Sequence, residues 1–276
     1  MSPNNSPNSS NPGNPINPSN QSKSTKSILI TVDVEDWFQV ETLRPAFPME
    51  TWDSCEVRLE KSTSLLLDLF DHHSLQATFF VLGWIAERLP HLVSEIHKRG
   101  HEIASHGYNH ELCSGIACTT LREDIVKSKS ILENITDQSV LGYRAPSFSV
   151  TRDLMDTLGG LGFRYDSSYN SFAFNKRYGK ANGFLELTSN SYMQAKNDIM
   201  ELPISNLSLG GQTIPWGGGG YFRLYPLPIF TWGVARLLGT KGYYNFYCHP
   251  WEFDPKQPRA NGIGLLSYFR HYLNLG

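Results

Sequence analysis

From Ser27 onward the chain alternates short apolar, β-branched runs with stretches of helical periodicity, and that alternation leaves few folds open. SILITVDV (27–34), ATFFVL (77–82) and HEIAS (101–105) read as buried strands, and VLGYRAP (140–146) as a strand ending in a proline turn. Residues 59–70, 89–98 (with Pro90 at the start) and 119–134 carry the helical patterns between them. Thr119 or Thr120 is the expected cap of the last, with Glu123 completing a capping box. A helix follows over 151–160, capped by Thr151. FRYDSS, FLELT, IMELP and YNFYCH are further strand candidates; 228–238 and 264–273 are further helices. Strands alternating with helices predict an α/β fold, and a barrel more than an open sheet. There is no internal repeat.

The 276 residues, 40% of them hydrophobic, suffice for one large core or two modest ones. The formal net charge of −2 provides no basic field for a polyanion, so no nucleic-acid partner is expected. No apolar run approaches the roughly 18 residues of a membrane span. Residues 1–26 are almost wholly Asn, Ser and Pro, with Met1 and Ile16 as their apolar residues; they are predicted to be a disordered tail, and 27–276 the folded domain. The tail lacks the continuous apolar segment of an export signal, which predicts a cytoplasmic location. Cys55, Cys113, Cys118 and Cys248 form no C-x-x-C pair, so a cysteine zinc knuckle is not indicated.

In βα folds functional groups collect at the carboxyl ends of strands. Asp33, Glu35 and Asp36 follow the first strand, His106 the third and Arg144 the next; Asp166 and His249 end later ones. Three carboxylates crowded in a dry site are costly unless a cation neutralises them. In SHGYNH, His106 and His110 stand four apart, and on a helical turn both imidazoles reach one ion. A carboxylate from 33–36 supplies a third ligand and leaves positions open, as in catalytic zinc or non-haem iron. No Glu follows His106, so this is not H-E-x-x-H, and Asp33 is the candidate base. Pro146 holds Ala145 extended, which aims Arg144; its fork beside Asp33 would keep that carboxylate ionised. His249, held by Pro250, is the candidate general acid, with Asp166 to orient its imidazole. WGGGGYF (216–222) lacks the ending of a P-loop and reads as a close-approach loop, with Trp216 and Tyr221 as sugar-stacking faces. Each feature alone has a plainer reading: a solvated turn, a surface arginine, a structural histidine.

Together the motifs resemble those of the polysaccharide deacetylases, the NodB-homology or carbohydrate esterase family 4 enzymes. TVDVEDW is similar to the first motif, RGHEIASHGYNH to the second, YRAPSF to the third and YCHPWEFD to the last. ELPIS, GGGGYFRLYP, HPWEFDPKQPR and RHYLNL resemble the branch found beside exosortase and exopolysaccharide gene clusters. The resemblance runs from about Ser27 to the C-terminus. It implies a distorted, incomplete (β/α) barrel, with Asp33 as catalytic base, Arg144 as its tether, His249 as general acid, and His106 and His110 as ligands of a divalent metal, zinc being the expected ion. It also implies an N-acetylated glycan as substrate. Two departures stand out. Val34 follows Asp33 where two adjacent aspartates are commoner, so the metal carboxylate is Glu35 or Asp36. Glu35 is favoured, because some relatives separate base and ligand by one residue and strand alternation puts 33 and 35 on one side. Gly107 stands where Ser or Thr is common. Asp166 has no motif match. The expected activity is removal of N-acetyl groups from amino sugars of a polysaccharide or its precursor, in exopolysaccharide biosynthesis. The rivals are a related amidohydrolase acting on a small amide such as allantoin, an inactive glycan-binding barrel, and a non-haem iron oxygenase, for which Asp33, Arg144 and His249 together have no evident use.

Overall fold

Strand β1 (Ser27–Val34) runs from exposed at Ser27 to buried over its last four residues, and its β-branched side chains suit it to the middle of a sheet. The computed structural model describes residues 26–172, 178–179, 183–187, 193–195 and 198–275, so the expected disordered tail lies outside the described residues except for Lys26. β1 pairs in parallel with β2 (Thr78–Val81) on one side and with β11 (Tyr243–Cys248) on the other. The sheet continues through β3 (Glu102–Ser105), β4 (Gly142–Tyr143), β5 (Tyr165–Asp166) and β8 (Met200–Glu201), all parallel. Two antiparallel strands, β7 (Met193–Ala195) and β6 (Leu185–Leu187), extend the far edge. The seven parallel strands curl into a half-barrel, in agreement with the α/β reading. A separate hairpin joins β9 (Asn206–Leu209) and β10 (Gln212–Pro215).

Register places the site. Val34 lies opposite Val81, Val81 opposite Ser105, Ser105 opposite Tyr143, and Tyr143 opposite Asp166. Cys248 pairs with Val32 across the other side of β1. The residues that leave these strands, Glu35, His106, Arg144, Ser167 and His249, therefore emerge at one rim.

The helices cover the sheet with the faces their periodicity marks. α1 (Leu59–His72) buries Leu59, Leu66, Leu67 and Phe70, each worth about 1.5–3 kcal/mol when fully removed from water. α2 (Gly83–Arg88) is too short to leave a periodic signal and was not expected. α3 (Pro90–Lys98) has its proline in the first turn. α4 (Cys118–Thr136) begins earlier than expected: its cap is Ala117, with no side-chain bond. Thr119 and Thr120 thus sit inside the first turn, and the expected capping box does not form. α5 (Arg152–Gly160) is capped as expected, with Thr151 Oγ1 accepting from the Leu154 N–H at 3.1 Å. α6 (Gly219–Leu224), α7 (Leu227–Lys241) and α8 (Leu265–Tyr272) complete the chain.

Trp216 is corrected from sugar platform to core residue. It is buried, stacks against Tyr225 and Phe230, and donates Nε1–H to the Phe230 carbonyl at 3.0 Å. Gly233 makes this possible, since a Cβ there would come within 2.1 Å of the indole. Among the described residues no helix is long and apolar enough to cross a membrane, and the four cysteines form no disulfide.

Candidate active site

Arg144 is fully buried, and its donors go to fixed acceptors. Nη1 donates to Asp33 Oδ1 at 2.6 Å and to Thr31 Oγ1 at 2.8 Å. Nε donates to the Ser167 carbonyl at 3.0 Å and Nη2 to Ser167 Oγ at 2.9 Å. The guanidinium also lies 4.1 Å from the Phe80 ring centroid. Such a clamp leaves Asp33 one orientation and a neutralised charge.

SHGYNH is not a helical turn, which corrects the geometry expected for its two histidines. Gly107 has φ +74° and His110 φ +55°, both left-handed. The loop is fastened by Asp124 of α4, whose carboxylate accepts the Tyr108 and Asn109 N–H groups at 2.8 and 2.9 Å. Arg44 donates to the His110 carbonyl. At Gly107 a Cβ would approach Asp124 Oδ1 to 2.9 Å, so glycine answers both the backbone angle and the close carboxylate. Nothing in the sequence distinguishes Asp124 from any other polar residue of an amphipathic helix.

The loop nevertheless brings the imidazoles together. One ligand atom from each of Glu35, His106 and His110 lies within 4.8 Å of the others, and all three residues are buried. His106 Nδ1 contacts the Arg144 carbonyl at 2.7 Å; as the donor there it leaves Nε2 with a lone pair. Burial pushes the His106 imidazole down to about 4, so it is neutral. Glu35 Oε2 sits 2.7 Å from His110 Nε2 but is not aligned for a hydrogen bond, and both Glu35 Oε2 and His110 Nδ1 are buried without a hydrogen-bond partner. Burial pushes the Glu35 carboxyl up, but His110, His249 and His106 outweigh it and hold it well below the usual carboxylate range. Two imidazoles and an ionised carboxylate converging in a dry place fit a divalent cation.

Asp36 faces away from this cluster. Its oxygens accept from Trp37 N at 2.8 Å, Arg58 N at 2.6 Å and Leu59 N at 3.1 Å, which ties the end of β1 to the start of α1. Burial pushes its carboxyl up to about 6 against these bonds.

His249 completes the group. Its Nε2 is 3.3 Å from Glu35 Oε1 and 3.9 Å from Asp33 Oδ2. Burial lowers its affinity for a proton, but Glu252, Glu35 and Asp33 outweigh this and raise it to about 9, so the ring is an imidazolium at neutral pH. Its Nδ1 partner is Glu252 at 3.3 Å, not Asp166 as expected from sequence. Glu252 is fixed in turn by Arg223 at 2.9 Å. A signal for Glu252 was present: it stands three residues after His249, the spacing of a capping box, and its Oε2 accepts the His249 N–H at 3.0 Å.

Asp166 serves the opposite side of the site. It accepts from Ser168 Oγ at 2.6 Å, and Ser168 Oγ accepts the Ala145 N–H at 2.7 Å. It thereby holds the Ser167–Ser168 turn that receives Arg144. Opposite it in register is Glu201, also fully buried. Burial raises both carboxyls, Glu201 further because Asp166 lies beside it, so the pair shares a proton.

Asp33, Glu35, His106, His110 and His249 line one cavity of about 410 Å³. Tyr221, the other expected sugar-stacking residue, lines it too. Residues 21–165 match the family model for polysaccharide deacetylase, and 167–276 match a domain of unknown function, DUF3473. A peptidoglycan-N-acetylglucosamine deacetylase of Bacillus cereus is 31% identical over 102 residues, 37% of this chain and 47% of that protein. A peptidoglycan deacetylase of Helicobacter pylori is 34% identical over 111 residues, 39% of this chain and 37% of that protein. The chain thus spans less than half the length of these relatives. In fold it is similar to the crystal structure of a chain assigned as a polysaccharide deacetylase from Mycobacterium smegmatis, with a TM-score of 0.58 at 21% identity over 90% of this chain and 82% of that one.

Proposed function

Because the chain belongs to the polysaccharide deacetylase family, we propose that it hydrolyses N-acetyl groups of amino sugars within a polysaccharide or its precursor. The observation that carries this reading is the single cavity in which a Glu35–His106–His110 ligand set meets a clamped Asp33 and a charged His249. A divalent cation held by Glu35, His106 and His110, with zinc as the expected ion, would polarise the acetyl carbonyl and acidify water. Asp33 takes the proton from the attacking water, with Arg144 fixing which oxygen is free to do so. His249 gives its Nε2 proton to the amine nitrogen as the C–N bond breaks, and acetate and a free amino sugar leave. Glu252 and Arg223 hold His249 in place for that step. Exopolysaccharide assembly is the setting in which we place the reaction, on the resemblance of ELPIS and HPWEFDPKQPR to that branch.

The test is acetate release from N-acetylchitooligosaccharides, with and without added divalent metal. Turnover is expected with metal and is lost on chelation. Asp33→Asn is expected to retain the metal, measured by mass spectrometry, and to lose at least about 100-fold in turnover. Activity of that variant within a few-fold of wild type would remove Asp33 from the base role. Glycan binding without acetate release or metal dependence would favour an inactive barrel.

A further inference from the structure

The acidic side chains that line the cavity are all answered by basic groups. Asp33 has Arg144, Glu41 has Arg44 at 3.0 Å, Glu252 has Arg223, and Glu35 has the histidines. Of the two arginines that line the cavity among the described residues, one is not answered by an acid. Arg223 is spent on Glu252 and on the Leu273 carbonyl, but Arg270 of α8 lines the same cavity and makes no ion pair among the described residues.

Arg270 is not idle in its surroundings. Tyr178, Tyr221 and Tyr247 lie near its guanidinium and favour its charged form. Burial holds the Tyr247 phenol well above its ordinary range, so that ring is a dipole and not a counter-charge. The positive charge at the mouth therefore has no counter-charge among the described residues. Phe269, the neighbouring residue on α8, also lines the cavity and is 59% exposed, which offers an apolar face beside the cation. A planar fork of donors of this kind pairs bidentately with a carboxylate or a phosphate.

We propose that Arg270 reads a negative charge on the glycan, so that the preferred substrate is an acidic N-acetylated saccharide and not a neutral one. The proposal rests on the deacetylase reading. The anion has two chemical sources: the carboxylate of a uronic acid neighbouring the acetylated sugar, or the pyrophosphate of a carrier-linked precursor. Arg270 stands at the open mouth, so its effect is screened by salt.

The experiment compares kcat/KM of the metal-loaded full chain on matched pairs. One pair is a hyaluronan tetrasaccharide and its methyl ester; the other is N-acetylchitobiosyl pyrophosphate and N-acetylchitobiose. The charged member of one pair is expected to be favoured about tenfold at low ionic strength. The pair that shows the preference identifies the source. The ratio should shrink in salt, fall towards unity in Arg270→Gln and persist in part in Arg270→Lys, a pattern that simple loss of structure would not produce. No preference for either charged member, or a preference unchanged in Arg270→Gln, overturns the proposal. If no probe releases acetate, the deacetylase reading fails by itself. The ratio of dissociation constants for the same pairs, measured by calorimetry, then still decides whether Arg270 recognises an anion.

Discussion

Arg144 and Asp33 are committed to each other by burial: each is almost wholly removed from water, Arg144 has no other carboxylate partner among the described residues, and the other cation near Asp33, His249, stands farther off at 3.9 Å. Removing one member of such a pair leaves an uncompensated buried charge. Arg144→Met is therefore expected to cost about 3–5 kcal/mol, read as a fall in the urea midpoint, as well as to abolish turnover. A loss below about 1 kcal/mol would show that water or another cation reaches Asp33. Both residues were legible as candidates because each ends a strand. What the residues alone did not distinguish was Asp166 from Glu252 as the partner of His249. Asp166 looked suitable because it also ends a strand, but its side chain turns to Ser168 and Glu201, while Glu252 is brought back by the turn after Pro250.

At the scale of elements, the carboxylate run after β1 divides its work. Glu35 enters the cavity and Asp36 stitches the strand to the first turn of α1. Asp36→Ala should cost about 1–2 kcal/mol in thermal or urea unfolding, as lost caps do, and leave metal stoichiometry intact. Glu35→Ala should do the reverse to the metal. Equal metal loss in both variants would contradict this division. SHGYNH shows how a correct pairing can rest on the wrong element. The i, i+4 spacing suggested a helical turn, yet the imidazoles meet because a left-handed Gly107 and the Asp124 carboxylate fold the loop back. Gly107→Ala should therefore weaken metal binding without touching a ligand.

For the molecule as a whole, the first strand is held by the last. β11 pairs with β1 over Ser27–Val32, and β8 pairs with β5, so residues from the 21–165 and 167–276 matches share one sheet. Asp33 comes from one match and His249 from the other. A fragment ending at residue 165 lacks both flanking strands and should show no cooperative unfolding transition by circular dichroism; a sharp transition would mean the first half folds alone. The molecule also carries an acid-sensitive core contact. His271 is buried against Trp251 and bonded to Gln257 at 2.7 Å. Burial, aided by Arg223, holds it down to about 3, whereas an unfolded histidine titrates near 6.5. Between those values the unfolded chain binds the extra proton, so stability falls as pH falls through 6.5. At pH 5 the loss is roughly 2 kcal/mol relative to pH 7. Urea titrations at the two pH values should show that part of the difference vanish in His271→Gln.

By itself the sequence determined the α/β class, most of the helices and the set of strand-end residues from which the site is made. Those features follow from periodicity and from the rule that a parallel strand presents its last residues at one rim, and both are local. Only the tertiary structure decided which of these residues meet. It put Glu35 and not Asp36 among the histidines, Glu252 and not Asp166 against His249, and Trp216 in the core instead of the cavity. Each choice turns on where a single side chain points after a turn. Such directions are set by contacts with distant residues, Leu59, Arg223 and Gly233 among them, which no local pattern records.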